Sequence, residues 1–295
     1  MQIELPPLVL PDRPADSHKG TFGSALIIAG SRGMSGAAAL AGLGALRGGA
    51  GLVYLAMPES IVATVAGIEP SYLTVPLPED AAGRLGQASL AMLLDRARSV
   101  DALAIGPGCG QSDSVRRIVT ELYSRATCPL VADADALNLL ANDAKVLSDH
   151  AGPRILTPHP GEFARLIDAD TQTVQSDRRA LAESFAAKHG VVLVLKGRES
   201  VVTDGTTTHI NPTGNSGMAT GGSGDVLTGL IAALLAQGLA PLDAARTGAN
   251  LHGLAGDLAA SHFSEPGMIA SDLPRYLGRA WMIVLDRQSA ATEAS

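Results

Sequence analysis

Aromatic side chains are scarce: one Trp, four Tyr and four Phe make up 3% of 295 residues. Single-stranded nucleic-acid grooves stack bases on aromatic rings, so that class is set aside first. Excess positive charge is missing as well. With 22 Lys and Arg against 29 Asp and Glu, the formal net charge is −7, which argues against any polyanion groove. Cysteine is limited to Cys109 and Cys128, too few and too oddly placed for a disulfide framework or a zinc site. They read as reduced, buried thiols of a cytosolic protein. Seven histidines are scattered without the paired spacing of a metal site. The opening MQIELPPLVLPDRPADSHKG has no basic start followed by an apolar run, so no signal peptide is read. The most apolar helical stretch, Val226 to Ala236, is too short to span a bilayer. A soluble, cytoplasmic protein with no nucleic-acid or membrane partner is expected.

What is present is an ordinary globular balance, 46% hydrophobic and 17% charged, in a chain long enough for a sizeable core. Residues 1–20 read as a proline-rich arm, 21–286 as one domain and 287–295 as a loose tail. From Ser24 onward, short apolar runs alternate with helical patterns: SALII, LVYLAM, Ala102–Ile105, Pro129–Ala132, Arg154–Leu156 and VVLVL as strands, with a helix after each except LVYLAM and VVLVL. VVTDGTTTHIN alternates around a D-G and predicts a β-hairpin. Three helices close the chain, near 225–237, 242–261 and 271–286. Strand–helix alternation of this kind predicts an α/β fold, a mostly parallel sheet with helices on both faces. Ligands of such sheets bind at the carboxyl ends of the strands. GSRGMSGA, GPGCG, DADALN, TPHPGE and KGRES all fall there.

The stretch NPTGNSGMATGGSGDVLTGLIAALL, from Asn211 to Leu235, carries the strongest chemical signal. Five glycines lead into a helix, and glycine lets a ligand approach the main chain closely. Unpartnered amides and the dipole at a helix start favour an anion, most simply a phosphate. Asp225 falls in the first turn. It either caps the helix or takes a proton from a hydroxyl that attacks the phosphate; the length of the glycine loop favours the second. Any nucleotide charge would be met by backbone donors, a few Lys or Arg, and Mg²⁺.

The other motifs are less decisive alone. Gly30, Gly33 and Gly36 have the wrong spacing for a dinucleotide fingerprint, and no acidic residue follows at the right distance. GPGCG is a turn or a close-approach surface. In DADALN, Asp135 reads as a helix cap, with Asp133 or Asp135 an alternative Mg²⁺ ligand. TPHPGE stiffens the backbone around His159 with two prolines, and Glu162, three residues on, could organise Mg²⁺ through water. Lys196 is either a surface residue or a phosphate contact, and His252 reads as packed.

In their order, HKGTFGSALIIAGS, GAAALAG, GPGCG, DADALN, TPHPGE, LKGRES, NSGMATGGSGDVLTG and NLHGLAGD resemble the ADP-dependent NAD(P)H-hydrate dehydratase family, a branch of the ribokinase-like fold. TPHPGE together with GMATGGSGDVLTG is the specific part; GGSGD alone is shared with ribokinase-like kinases. The resemblance implies a three-layer α/β/α fold and repair of hydrated NADH or NADPH with ADP (or ATP) as co-substrate. It implies that Lys196, Gly197, Arg198, Glu199, Ser200 and Gly224 border the adenine nucleotide, beside Gly221, Gly222 and Ser223 of the glycine loop. Ala37, Gly108, His159 and Asp225 would face the hydrated dinucleotide. Where many ribokinase relatives have Asn, this chain has His159, and Glu162 keeps the acidic position. The family includes bifunctional chains with an epimerase domain; this chain is expected to work with a separate epimerase. The alternatives are a ribokinase-like kinase that releases a phosphorylated small alcohol, such as a vitamin precursor, and a non-catalytic nucleotide sensor. The small-residue helices suit subunit contacts as readily as internal packing, and a homo-oligomer is expected.

Overall fold

Short runs of Val, Ile, Leu and Ala bounded by glycine cannot shield both faces of a strand by themselves, so they pair into a sheet and take helices on each side. The computed structural model describes residues 8–143 and 145–293. In chain order the elements are β1 (Ser24–Ile28), α1 (Ser35–Arg47), β2 (Leu52–Pro58), α2 (Glu59–Ala66), β3 (Leu73–Leu77), α3 (Ser89–Ala97) and β4 (Ala102–Ile105). Then come α4 (Asp113–Arg125), β5 (Leu130–Ala132), α5 (Asp135–Leu140), β6 (Arg154–Leu156), α6 (Pro160–Leu166), α7 (Thr171–Ser176) and α8 (Arg178–His189). The chain closes with β7 (Val192–Leu195), β8 (Val201–Thr203), β9 (Thr208–Ile210), α9 (Ser223–Ala236), α10 (Pro241–Phe263) and α11 (Leu273–Glu293).

The nine strands form one sheet in the order β3-β2-β1-β4-β5-β6-β7-β8-β9. From β3 to β7 every pairing is parallel; β8 and β9 form the predicted hairpin, and β8 also pairs antiparallel with β7. β1 is an interior strand, with Ala25 opposite both Val53 and Ala102. Its side chains alternate between two cores. Ala25 and Ile27 join α1, α9, α10 and α11 on one face, while Leu26 and Ile28 join α3, α4, α5 and α8 on the other. This is a three-layer α/β/α arrangement, as expected.

α9 is apolar almost all round because it lies between the sheet, α1 and α10, with Val226 to Ala236 buried throughout. Glycine permits the close approach to α1. A Cβ on Gly229 would stand 1.8 Å from the carbonyl oxygen of Ala41, and one on Gly44 2.2 Å from that of Val226. The small-residue helices are therefore used for internal packing.

Several elements depart from the sequence reading. β3, α2, α3 and α7 were not foreseen; β3 is a half-exposed edge strand containing Pro76, so its pattern is weak. The expected helix from Ser176 begins after a break at Asp177, whose side chain caps α8. The tail expected to be loose from residue 287 instead continues α11 to Glu293, because extending an existing helix avoids the cost of nucleation. Of the expected arm, residues 1–7 lie outside the described residues. Its later part packs on the body through Thr247 Oγ1 to Val9 O (2.9 Å) and Arg13, which bonds Gln237 and lies 4.0 Å over the Phe22 ring. No helix among the described residues is long and apolar enough to cross a membrane.

Candidate active site

Because β4 to β7 run parallel, the residues just after them emerge on one edge: Gly106, Asp133, Thr157 and Lys196. The amino end of α9 meets them there. Gly222 begins this helix at φ 97, and no side chain caps it. Asp225 is thus not the cap; it occupies the first turn, and the helix-start amides keep their affinity for an anion.

Asp133 joins the parts. Only 1% exposed, its carboxylate accepts from Lys196 Nζ at 2.8 Å and from Thr228 Oγ1 at 2.7 Å. Burial alone would lower the proton affinity of Lys196, but Asp133 and Glu162 hold it above the usual lysine range. A Cβ on Gly224 would lie 3.1 Å from that ammonium, so the glycine lets the cation sit close against the helix start without a tight contact. Asp225 is pushed up to about 7, first by burial and then by Asp133, with Lys196 opposing and Asp135 and Glu162 adding. A carboxyl poised near neutrality is suited to accept a proton.

His159 caps α6. Its Nδ1 accepts from the amides of Gly161 (3.0 Å) and Glu162 (3.3 Å), and Pro160 occupies the first turn. Nε2 faces Glu162 Oε1 at 3.3 Å, which assigns the neutral tautomer protonated on Nε2. Burial, with Lys196 and Arg165 nearby, lowers its pKa. In return, Glu162 Oε2 accepts from the amide of His159 (2.8 Å) and lies 3.9 Å from Lys196; burial raises its pKa against the pull of Lys196. Both its oxygens are thus engaged by protein groups. His252 is packed as expected: Nε2 donates to the Ser223 carbonyl at 2.9 Å, and burial brings its pKa down to about 4.

Beside this cluster lies a cavity of about 930 Å³. Its walls include His159, residues 196–200, Ser223, Gly224, much of 211–220 and His252. The structure therefore brings Lys196, Gly197, Arg198, Glu199 and Ser200 together with Ser223 and Gly224. Gly221, Gly222, Ala37, Gly108 and Asp225 do not line it. His159, expected on the dinucleotide side, is part of this cavity's wall. Ala37 and Gly108 meet each other elsewhere: at φ 63, a Cβ on Gly108 would sit 2.9 Å from that of Ala37. Next to them, Cys109 is pushed up to about 12 by burial, with Asp135 and Asp225 contributing. Asp225 follows Gly224 at the cavity's end, and its charge also reaches Cys109, the residue after Gly108.

Asp135 corrects the sequence reading. It does not cap α5, whose N-cap Ala134 makes no side-chain bond; its carboxylate accepts from Gly110 N (2.8 Å) and Gln111 Nε2 (3.0 Å), tying down GPGCG. Asp133 was read only as a possible metal ligand, and Thr228 was missed. Its one sequence signal is a hydroxyl inside an otherwise apolar helix. Among the described residues, no group of three or more His, Cys, Asp or Glu is placed to hold a metal ion. With the oxygens of Asp133 and Glu162 committed, these residues do not form a resident Mg²⁺ cage.

A family model described as NAD(P)H-hydrate dehydratase matches residues 25–279. The bifunctional NAD(P)H-hydrate repair enzyme Nnr of Moorella thermoacetica is 48% identical over 91% of this chain. This chain spans about half of that relative's length, 51%. A crystal structure of the ADP/ATP-dependent NAD(P)H-hydrate dehydratase of Bacillus subtilis, co-crystallized with ATP/Mg²⁺, superposes with a TM-score of 0.79 at 35% identity, covering 93% of this chain and 94% of that one. Ribokinase from Thermotoga maritima, at 13% identity and a TM-score of 0.52 over 86% and 99% of the two chains, shares the fold alone. A ribokinase-like sheet, a glycine-led α9 with its acid and a match across most of the sequence together place this chain in the NAD(P)H-hydrate dehydratase family.

Proposed function

We propose that this protein removes water from hydrated NADH or NADPH, with ADP, or ATP in the same geometry, as the phosphoryl donor. The observation that carries the reading is the position of Asp225: a carboxyl with a pKa near 7, one residue beyond the glycine that closes a nucleotide-sized cavity. The nucleotide occupies the cavity along residues 196–200. Its terminal phosphoryl lies at the start of α9, between the Gly224 amide and the Lys196 ammonium, where charge spreading onto its oxygens is stabilised. The hydrated ring lies on the Ala37–Gly108 side of Asp225.

Hydroxide is a poor leaving group, so the ring hydroxyl is first activated. Asp225 takes its proton as the oxygen attacks the terminal phosphorus, and the bond from phosphorus to the nucleotide breaks. The ring-nitrogen lone pair then expels inorganic phosphate with the C–O electron pair. Loss of a proton from the neighbouring ring carbon restores the dihydropyridine. The described residues form no cage for Mg²⁺, which would neutralise phosphate charge where it accompanies the nucleotide. An epimerase acting on the hydrate is the expected functional partner, and a homo-oligomer in the cytoplasm the expected state.

The test is to supply hydrated NADH with ADP or ATP and Mg²⁺, and follow reduced-nicotinamide absorbance with free phosphate. Return of absorbance matched by phosphate release supports the reading. A stable phosphoester in place of free phosphate would identify a kinase instead.

A further inference from the structure

Arg178, the first residue of α8, belongs to none of the motifs in the sequence. Its guanidinium donates to three main-chain carbonyls around the 196–200 loop: Nη2 to Leu195 (3.0 Å) and Lys196 (3.2 Å), and Nη1 to Arg198. The loop's other fixed carbonyls are held within the chain. Gly197 O accepts from Ser200 Oγ (3.1 Å), and Ser200 O from Asn211 N (2.9 Å). Arg178 does not line the cavity, whereas all five residues of the loop do; it grips the wall from behind.

The backbone it grips is unusual. Gly197 has φ 137, and a Cβ there would lie 3.1 Å from Arg178 Nη2. Glu199 stands at φ 55, in the left-handed region that a side chain disfavours. Such conformations persist only where the surroundings over-determine them. A planar fork reaching three carbonyls at once does this, and the point charge of lysine cannot span them in the same way. Carbonyls turned toward the guanidinium are also kept from facing an anion in the cavity. The Nε of Arg178 is buried without an acceptor, so the site is not arranged to satisfy the arginine itself.

We infer that Arg178 is a positioning residue for the nucleotide, holding the 196–200 loop in its binding shape without touching the ligand. This rests on the reading that the cavity takes ADP or ATP. The experiment compares wild type, Arg178→Met and Arg178→Lys by calorimetric ADP binding, by kcat and KM for nucleotide and hydrate, and by Tm. Arg178→Met should raise the Kd and KM for nucleotide about tenfold or more, with kcat at saturation and the KM for hydrate nearly unchanged, the pattern of lost uniform binding. Arg178→Lys should recover part of the loss. If Arg178→Met lowers Tm, the lysine variant carries the same comparison on a folded protein. ADP binding at the wild-type Kd in a folded variant, or a fall in kcat without a change in nucleotide KM, overturns the inference. Failure of the wider reading is seen in wild type: nucleotide binding with no dehydration sinks the proposed reaction and leaves the role of Arg178 standing.

Discussion

A carboxyl withdrawn from water and held near Asp133, Asp135 and Glu162, with one ammonium to offset them, gives up its proton reluctantly. As a base, Asp225 works only when deprotonated, so kcat/KM should rise with pH through about 7. Asp225→Asn should lower kcat by roughly 10²–10⁴ while nucleotide binding stays close to wild type; turnover near the wild-type rate would remove Asp225 from the mechanism. The same group also governs stability. Its folded-state pKa lies above the unfolded value, so the native state holds the extra proton between about pH 4 and 7. The stability it contributes is present below that window and is lost as pH rises through about 7. Asparagine has no charge to bury. Thermal melts of the variant should therefore lie several degrees above wild type at pH 8, and the difference should vanish below about pH 4.

Among the elements, α9 is the one on which the site is built, and its fit against α1 leaves no slack. A methyl on Gly229 would collide with the backbone at Ala41 O (1.8 Å) and Ala45 N (2.9 Å), which no side-chain rotation relieves. Gly229→Ala should thus cost about 3 kcal/mol or more and displace the helix start from Lys196, lowering Tm and activity together. Gly278→Ala is the control. It lies on the exposed face of α11 with nothing within 4 Å of a new Cβ, so it should add up to about 1 kcal/mol through helix propensity. Equal effects in the two variants would show that glycine here serves the helices' own flexibility, not their packing. These elements were partly readable in advance. The buried parallel strands and the last three helices announce themselves through apolar runs and glycine punctuation. The edge strand β3 and helices α2, α3 and α7 carry weaker patterns, because each buries only a few positions.

For the whole molecule, a ligand that binds the folded chain and not the unfolded one adds about 2.7 kcal/mol at one hundred times its Kd. ADP or ATP at that concentration should raise Tm by roughly 5–10 °C. Absence of any shift with either nucleotide at millimolar concentration would leave the cavity without its proposed occupant. On the proposed reading the nucleotide fills the cavity and the hydrate meets the Ala37–Gly108 surface, and the acid that follows Gly224 would serve a reaction joining a phosphoryl group to a hydroxyl.

The sequence alone determined the order of the buried strands and of the helices with strong patterns, the glycine-led helix with its acid, the lysine at the end of VVLVLKG and the stiffened TPHPGE turn. These are local properties, set by which residues can turn, stay extended or bury a face. The tertiary structure decided what those residues meet. Asp133 and Thr228 are 95 positions apart and touch only because α9 crosses the sheet at β5; Arg178 reaches its loop only because α8 packs on β7. The raised proton affinity of Asp225 depends on burial and on charges from several strand ends, and neither exists until the chain has folded.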